Sequence, residues 1–316
     1  MLYYNEVWEK EETIENMKKI GKVIGCFLPT IAAFATQVLA ASVISTIYVV
    51  ILTFWGVNQG ITDDTELYDA MMQKLAEGNF LLIVTAIATF YTLIIGFFWY
   101  RGLRPKTDFK LKEVINAKLL AAMFLLGVSL QLLISMCLNA VFPLLPNATT
   151  TEYSELIESL IGGNIWLSLL VTVVLAPLAE ELLFRGVTLK KAQKFMPFMA
   201  ANLLQALLFG IYHGNLIQGT YAFVLGLILG FTAEYFHSIW ASVLLHAFVN
   251  GSAELLGLLP ESMTSTLAGV IALSVVGVIL LFVAAKLYPG ARRVPETVCP
   301  EPKETDAEFT ENSFDE

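Results

Sequence analysis

The sequence predicts an all-α, polytopic integral membrane protein of about eight transmembrane helices. Three observations predict it. Of 316 residues, 56% are hydrophobic and only 15% charged, against about 25% charged in soluble domains, and the mean hydropathy is +0.68. Charge-free stretches recur along the chain, each long enough to supply the roughly 20 apolar residues that a helix needs to cross a hydrocarbon core. Lysine and arginine gather in alternate connecting loops.

The N-terminal stretch 1–26 is mixed-charge and amphipathic, and it lacks the basic start, apolar centre and small-residue cleavage site of a signal peptide. Apolar segments then follow at 27–55, 79–100 and 116–144, within a region, 27–158, and the apolar interiors of these segments hold isolated amides such as Gln37 and Asn139 but no charged side chain. A second region, 159–260, contains the segments 164–189, 196–213, 219–236 and 239–258, and the eighth segment, 266–286, lies within 261–290. The last stretch, 291–316, is acidic and poor in apolar residues and is expected to be disordered, and it contributes much of the net charge of −9.

Four lysines precede segment 1. Arg101, Arg104, Lys106, Lys110, Lys112 and Lys118 fill the link between segments 2 and 3, and Lys190, Lys191 and Lys194 follow segment 4. Lys286, Arg292, Arg293 and Lys303 come after segment 8, whereas the alternate loops carry only Lys74. The positive-inside rule then puts both termini in the cytoplasm, which requires an even number of crossings and agrees with eight. Cys26, Cys137 and Cys299 lie far apart without metal-ligand spacing and are read as packing residues. In segment 6, Gly226 and Gly230 form a GxxxG pattern that lets a neighbouring helix come close, and internal packing is the expected use.

A charged group in the hydrocarbon core costs about 2.5–3.5 kcal/mol on insertion scales, so each needs a partner or a purpose. Segment 4 carries Glu180, Glu181 and Arg185. Glu181 and Arg185, at i and i+4, share a helix face in the favourable order, while Glu180 is rotated by about 100°. Pro177, just before the pair, removes a backbone donor and predicts an irregular helix there. Segment 5 ends in Phe209 and His213, and segment 7 carries His246 and Asn250 one turn apart. Glu234, His237 and Glu254 fall near segment ends and are read as solvated boundary residues, with the lining of a cavity as the alternative for Glu254.

A single membrane histidine or asparagine is more often an interhelical hydrogen-bonding group than a catalytic one. Together, though, these side chains provide a general base, an orienting partner and donors for a developing oxyanion, the equipment for hydrolysis.

The three motifs E-E-x-x-x-R (Glu180, Glu181, Arg185), F-x-x-x-H (Phe209, His213) and H-x-x-x-N (His246, Asn250), in this order on successive apolar helices, resemble the CPBP superfamily. That superfamily takes in type II CAAX prenyl endopeptidases and the bacteriocin-processing and self-immunity proteins of the Abi family. The resemblance covers about residues 160–260. It implies an intramembrane endopeptidase acting on membrane-associated or lipidated peptides, surrounded by membrane lipid, with no nucleic-acid partner. Glu180 would activate a water molecule with help from His213, His246 and Asn250 would stabilise the oxyanion, and Glu181 with Arg185 would support the site. No HExxH motif is present. If zinc were bound, Glu180, His213 and His246 would be its ligands, and composition and spacing leave the metal-free and zinc routes open.

One point of geometry is demanding. Glu180 lies about 15 Å from the basic end of its segment and His213 about 28 Å along the next, so their meeting requires a tilted segment 5 or a loop at 190–197 that dips inward. The competing expectations are a non-proteolytic immunity or scaffold protein that keeps the polar network for stability, and a proton-coupled transporter. Against the transporter, no internal repeat is visible. The size and composition suit a bacterial plasma membrane.

Overall fold

Every regular element is helical in the computed structural model, which describes residues 2–76, 79–103, 108, 110–161 and 163–292. The expected acidic tail, from residue 293 onward, lies outside the described residues.

The main helices are α1 (Leu2–Asn58), α2 (Asp64–Ala76), α3 (Phe80–Leu103), α4 (Ala117–Val141), α5 (Asn147–Ile161), α6 (Ile165–Ala192), α7 (Phe198–Tyr212), α8 (Leu216–Tyr235), α9 (Ile239–Gly257) and α10 (Leu267–Leu287). Seven stretches among the described residues are long and apolar enough to cross a membrane: Ile20–Asn58 of α1, α3, Ala117–Leu144 at α4, α6, α8, α9 and α10. The protein is an all-α polytopic integral membrane protein. Two of the connecting loops also contain helices, α2 and α5. Asp63 caps the first of these by accepting from the Thr65 and Glu66 amides at 2.9 Å each.

The expected fifth segment departs from the count of eight. At 15 residues, α7 is about 22 Å long, short of the roughly 30 Å of a hydrocarbon core. Pro197 precedes it in extended conformation, and Gly214, at φ +66°, ends it in the left-handed region that glycine adopts without strain. Asn215 then starts α8 by accepting from the Ile217 and Gln218 amides at 3.0 and 3.1 Å. The same polar signal opens other spans. Asn116 caps α4, Asn164 caps α6, and Ser238 caps α9, each satisfying donors that a helix start leaves orphaned.

Helix α6 is not one uniform helix. It is π-helical over Leu170–Leu175, α-helical over Ala176–Glu181 and π-helical again over Leu182–Leu189, which bears out the irregularity expected around Pro177. It lies centrally, packed against α3, α7 and α9, with α4 between α9 and α10. Burial follows this order. Half of the α9 span and 44% of the α6 and α8 spans are buried, against 11% of α10 and 6% of α1. The GxxxG glycines serve internal packing, as expected. A Cβ on Gly226 would stand 3.1 Å from the Ala206 backbone and 3.2 Å from the Phe209 ring, so α7 and α8 touch almost backbone to backbone.

Candidate active site

Glu181 and Arg185 are both fully buried, and the Arg185 Nη1 donates to Glu181 Oε1 at 2.8 Å. The ion pair expected from the i, i+4 spacing is therefore present. Arg185 Nη2 donates to the Gly226 carbonyl at 3.2 Å, and the Gln205 amide donates to the same oxygen at 2.9 Å. The guanidinium lies 4.4 Å from the centre of the Phe209 ring. Two helices beyond α6 thus hold the one arginine in place.

His246, from α9, completes this cluster. Its Nδ1 is 2.9 Å from Glu181 Oε1, and its Nε2 is 3.8 Å from Glu180 Oε2. A carboxylate only accepts, so Nδ1 carries the proton in this bond and Nε2 is the atom turned toward Glu180. Glu180 keeps 14% of its side chain exposed where Glu181 keeps none. The two adjacent glutamates have separate surroundings: one is locked in a buried ion pair and the other keeps part of its side chain exposed.

His213 is brought close by a different route. It sits at the C-terminal end of α7, where the last carbonyls lack helical partners, and its Nδ1 lies 2.7 Å from the Phe209 carbonyl. Since that carbonyl can only accept, Nδ1 bears the proton and the Nε2 lone pair is free. Phe209 stands between the two histidines, with ring centres 4.7 Å from His213 and 5.8 Å from His246. The expected direct contact between Glu180 and His213 is not formed. The ion-pair contact of Glu180 is with His246 instead, because α7 ends at Gly214 and its final turn holds the His213 ring against Phe209.

Asn250, one turn past His246, points its amide at α6, where Nδ2 donates to the Thr172 carbonyl at 2.8 Å. The structure thus joins Glu180, Glu181, Arg185 and His246 by direct contact, links His213 through Phe209, and sets Asn250 on the far side of His246.

The candidate zinc set of Glu180, His213 and His246 does not fit. The Nδ1 bonds leave both histidine Nε2 atoms free, as ligation would need. Among the described residues, however, no three His, Cys, Asp or Glu side chains stand close enough together to hold an ion.

The sequence missed two contributors. Glu254, expected to be a solvated boundary residue, is only 6% exposed and receives the hydroxyls of Ser168 and Thr172 at 2.7 and 2.9 Å. Tyr212 accepts from the Gln37 amide at 2.6 Å, which ties α1 to the turn that carries His213. A stripe at i, i+4 and i+8 (His246, Asn250, Glu254) was the available signal for the first. No local pattern signals the second. Cys26 is buried, in keeping with a packing role, whereas Cys137 is exposed and Cys299 lies outside the described residues.

The membrane-embedded cluster thus sets a buried carboxylate–arginine–histidine group beside a second, less buried carboxylate. Residues 162–252 match the family model described as Type II CAAX prenyl endopeptidase Rce1-like. This segment takes in all six residues of the cluster and supports a protease of the CAAX type as the general class. No match was found among characterised proteins or among solved structures.

Proposed function

We propose that the protein is an intramembrane endopeptidase that hydrolyses a peptide bond of membrane-associated or lipidated peptides, with its catalytic core in 159–260. The observation that carries this is the 3.8 Å gap between Glu180 Oε2 and His246 Nε2. It is too long for a hydrogen bond, so Glu180 Oε2 is open to accept from a water and His246 Nε2 to face a substrate oxygen beside it, and the buried Glu181–Arg185 pair holds the imidazole in place.

In this scheme Glu180 takes a proton from water as the water oxygen attacks the scissile carbonyl, and the free Nε2 of His213 orients that water. The oxyanion accepts from the second N–H of Asn250 and from His246, which in its doubly protonated form donates Nδ1–H to Glu181 and Nε2–H to the substrate. Glu180 then passes its proton to the leaving amine, so one water is consumed and one carboxylic acid and one amine are released. Glu181 and Arg185 support the site by orienting His246, and no step passes through a metal.

With α7 as a short eighth crossing, the even parity that the basic loops demand is kept and both termini face the cytoplasm. The size and composition fit a bacterial plasma membrane. A C-terminal fluorescent protein that folds only in the cytoplasm tests the orientation.

The test of activity compares wild type, Glu180→Ala and His213→Ala in proteoliposomes against a farnesylated CAAX peptide and an unmodified apolar peptide, with and without chelator. Loss of a positioned acid–base group is worth about 10²–10⁴-fold, and that fall is expected for Glu180→Ala. Equal cleavage by wild type and both variants would sink the assignment. Loss on chelation, restored by zinc, would return Glu180, His213 and His246 to a ligand role.

A further inference from the structure

Glu254 takes no part in the chemistry proposed above, yet its place in the structure is costly. It is 6% exposed in an apolar helix, and among the described residues no lysine, arginine or histidine forms an ion pair with it. A carboxyl group is seldom buried in this way without a polar partner. Here the partners are two hydroxyls of α6. Ser168 Oγ stands 2.7 Å from Glu254 Oε1 and 2.9 Å from the Leu160 carbonyl, and Thr172 Oγ1 stands 2.9 Å from the same carboxyl oxygen and 2.9 Å from the Ser168 carbonyl.

Thr172 also holds Asn250, but through its backbone. Its carbonyl oxygen accepts from Asn250 Nδ2 at 2.8 Å, and the local sequence explains why this oxygen is available inside a helix. Thr172 lies in the first π-helical stretch, where the Ala176 N–H bonds back to the Val171 carbonyl rather than to Thr172. In the same π register the amide that would reach Thr172 belongs to residue 177, a proline without an N–H. The register shift and Pro177 together leave this carbonyl without a helical donor.

We infer that Glu254 is a positioning residue for Asn250. By binding the Ser168 and Thr172 hydroxyls it holds the π-helical turn of α6 against α9, so that the freed Thr172 carbonyl fixes one Asn250 N–H and the other is aimed at the substrate carbonyl. His246, Asn250 and Glu254 thus form one stripe of α9 in which the outer member sets the angle of the middle one. This inference rests on the peptidase reading for the use made of Asn250, but the coupling of Glu254 to Asn250 is a property of the resting protein.

The experiment uses the full chain and two readouts. The first is the side-chain amide signal of Asn250 in protein labelled with 15N-asparagine, assigned by its loss in Asn250→Asp. The Glu254→Leu and Thr172→Val variants are expected to bring its two proton shifts together and to speed their exchange with water, while Glu254→Gln, which keeps acceptor and shape, holds them near the wild-type positions. The second readout is cleavage of the farnesylated CAAX peptide in proteoliposomes. A misplaced oxyanion donor is expected to lower kcat about 10- to 100-fold in Glu254→Leu with KM little changed, with recovery in Glu254→Gln and no further loss when Glu254→Leu is added to Asn250→Ala.

If the Asn250 signal is unmoved in folded Glu254→Leu, the inference is overturned whatever the activity. Should that variant fail to fold, Ser168→Ala combined with Thr172→Val carries the same test, and an unmoved signal there overturns the inference equally. A signal that moves in a protein whose wild type cleaves neither peptide upholds the coupling and removes the peptidase reading instead.

Discussion

The inner helices α6, α8 and α9 differ from the outer helices α1 and α10 in what their side chains meet. Phe282 on α10 is 67% exposed and Leu39 on α1 is 66% exposed, so these helices present their apolar faces outward, as a lipid-facing helix does. The inner helices bury Glu181, Arg185, Ser168, His246 and Glu254 against one another. Without a solvent-driven hydrophobic effect between helices, association in a bilayer relies on close packing and interhelical hydrogen bonds, and the inner helices hold both.

The largest way to break this comparison is to remove one half of the buried ion pair. Arg185→Met would leave the buried Glu181 carboxylate without its guanidinium and remove one donor from the Gly226 carbonyl, and losing one partner of a buried pair costs about 3–5 kcal/mol. The expected outcome in detergent is a thermal transition lowered beyond that of any other variant considered below, with partial recovery when Glu181→Gln is added. A transition equal to wild type would show that the Arg185 guanidinium is not what holds α6 to α8.

These contacts also show which parts of the protein a sequence can disclose. The all-α membrane class is legible because hydropathy and charge are local sums. The Glu181–Arg185 bond is legible because i, i+4 neighbours meet on any helix. The Asn250–Thr172 and Glu254–Ser168 bonds join residues 78 and 86 positions apart, and the first depends on a π register that no residue pattern announces. Glu180 meets His246 rather than His213 for a similar reason. The depth of α7 is set by where Pro197 and Gly214 start and stop it, and helix boundaries are the least certain feature of any sequence reading.

A smaller break tests packing without touching charge. On Gly127→Ala the new Cβ would stand 2.6 Å from the Phe248 Cβ and 3.0 Å from its backbone carbon. Since Phe248 lies two residues from both His246 and Asn250, α4 and α9 must separate. Overpacking of this kind costs about 1–3 kcal/mol. Both the thermal transition and the Asn250 amide signal should shift, and a change in neither would show that α4 yields freely.

Smaller again is the effect of Gln205→Leu. Its amide donates to Asn202 Oδ1 at 2.7 Å and to the Gly226 carbonyl at 2.9 Å, but Arg185 still serves that carbonyl, and polar contacts between membrane helices average about 0.6 kcal/mol. A loss of about that size in a detergent unfolding titration is expected. A loss as large as that of Arg185→Met would mean that the amide, not the guanidinium, is the main tie between α6, α7 and α8.

The smallest effect belongs to the outer helices and is read within a single one. Phe282 and Ala284 are two residues apart on α10, the first 67% exposed and the second 1%. Phe282→Ala removes a large apolar side chain that faces apolar surroundings whether α10 is packed or apart, so nothing is transferred from water and the change should stay within about 0.5 kcal/mol, as for surface substitutions generally. Ala284→Leu instead forces a side chain into the interior beside α4 and should cost about 1–3 kcal/mol. Measured side by side in one bilayer-forming detergent mixture, the larger deletion is expected to do less harm than the smaller insertion. The reverse order would mean that α10 turns its Phe282 face toward a partner, and that its separation from the inner helices in burial does not describe the protein in the membrane.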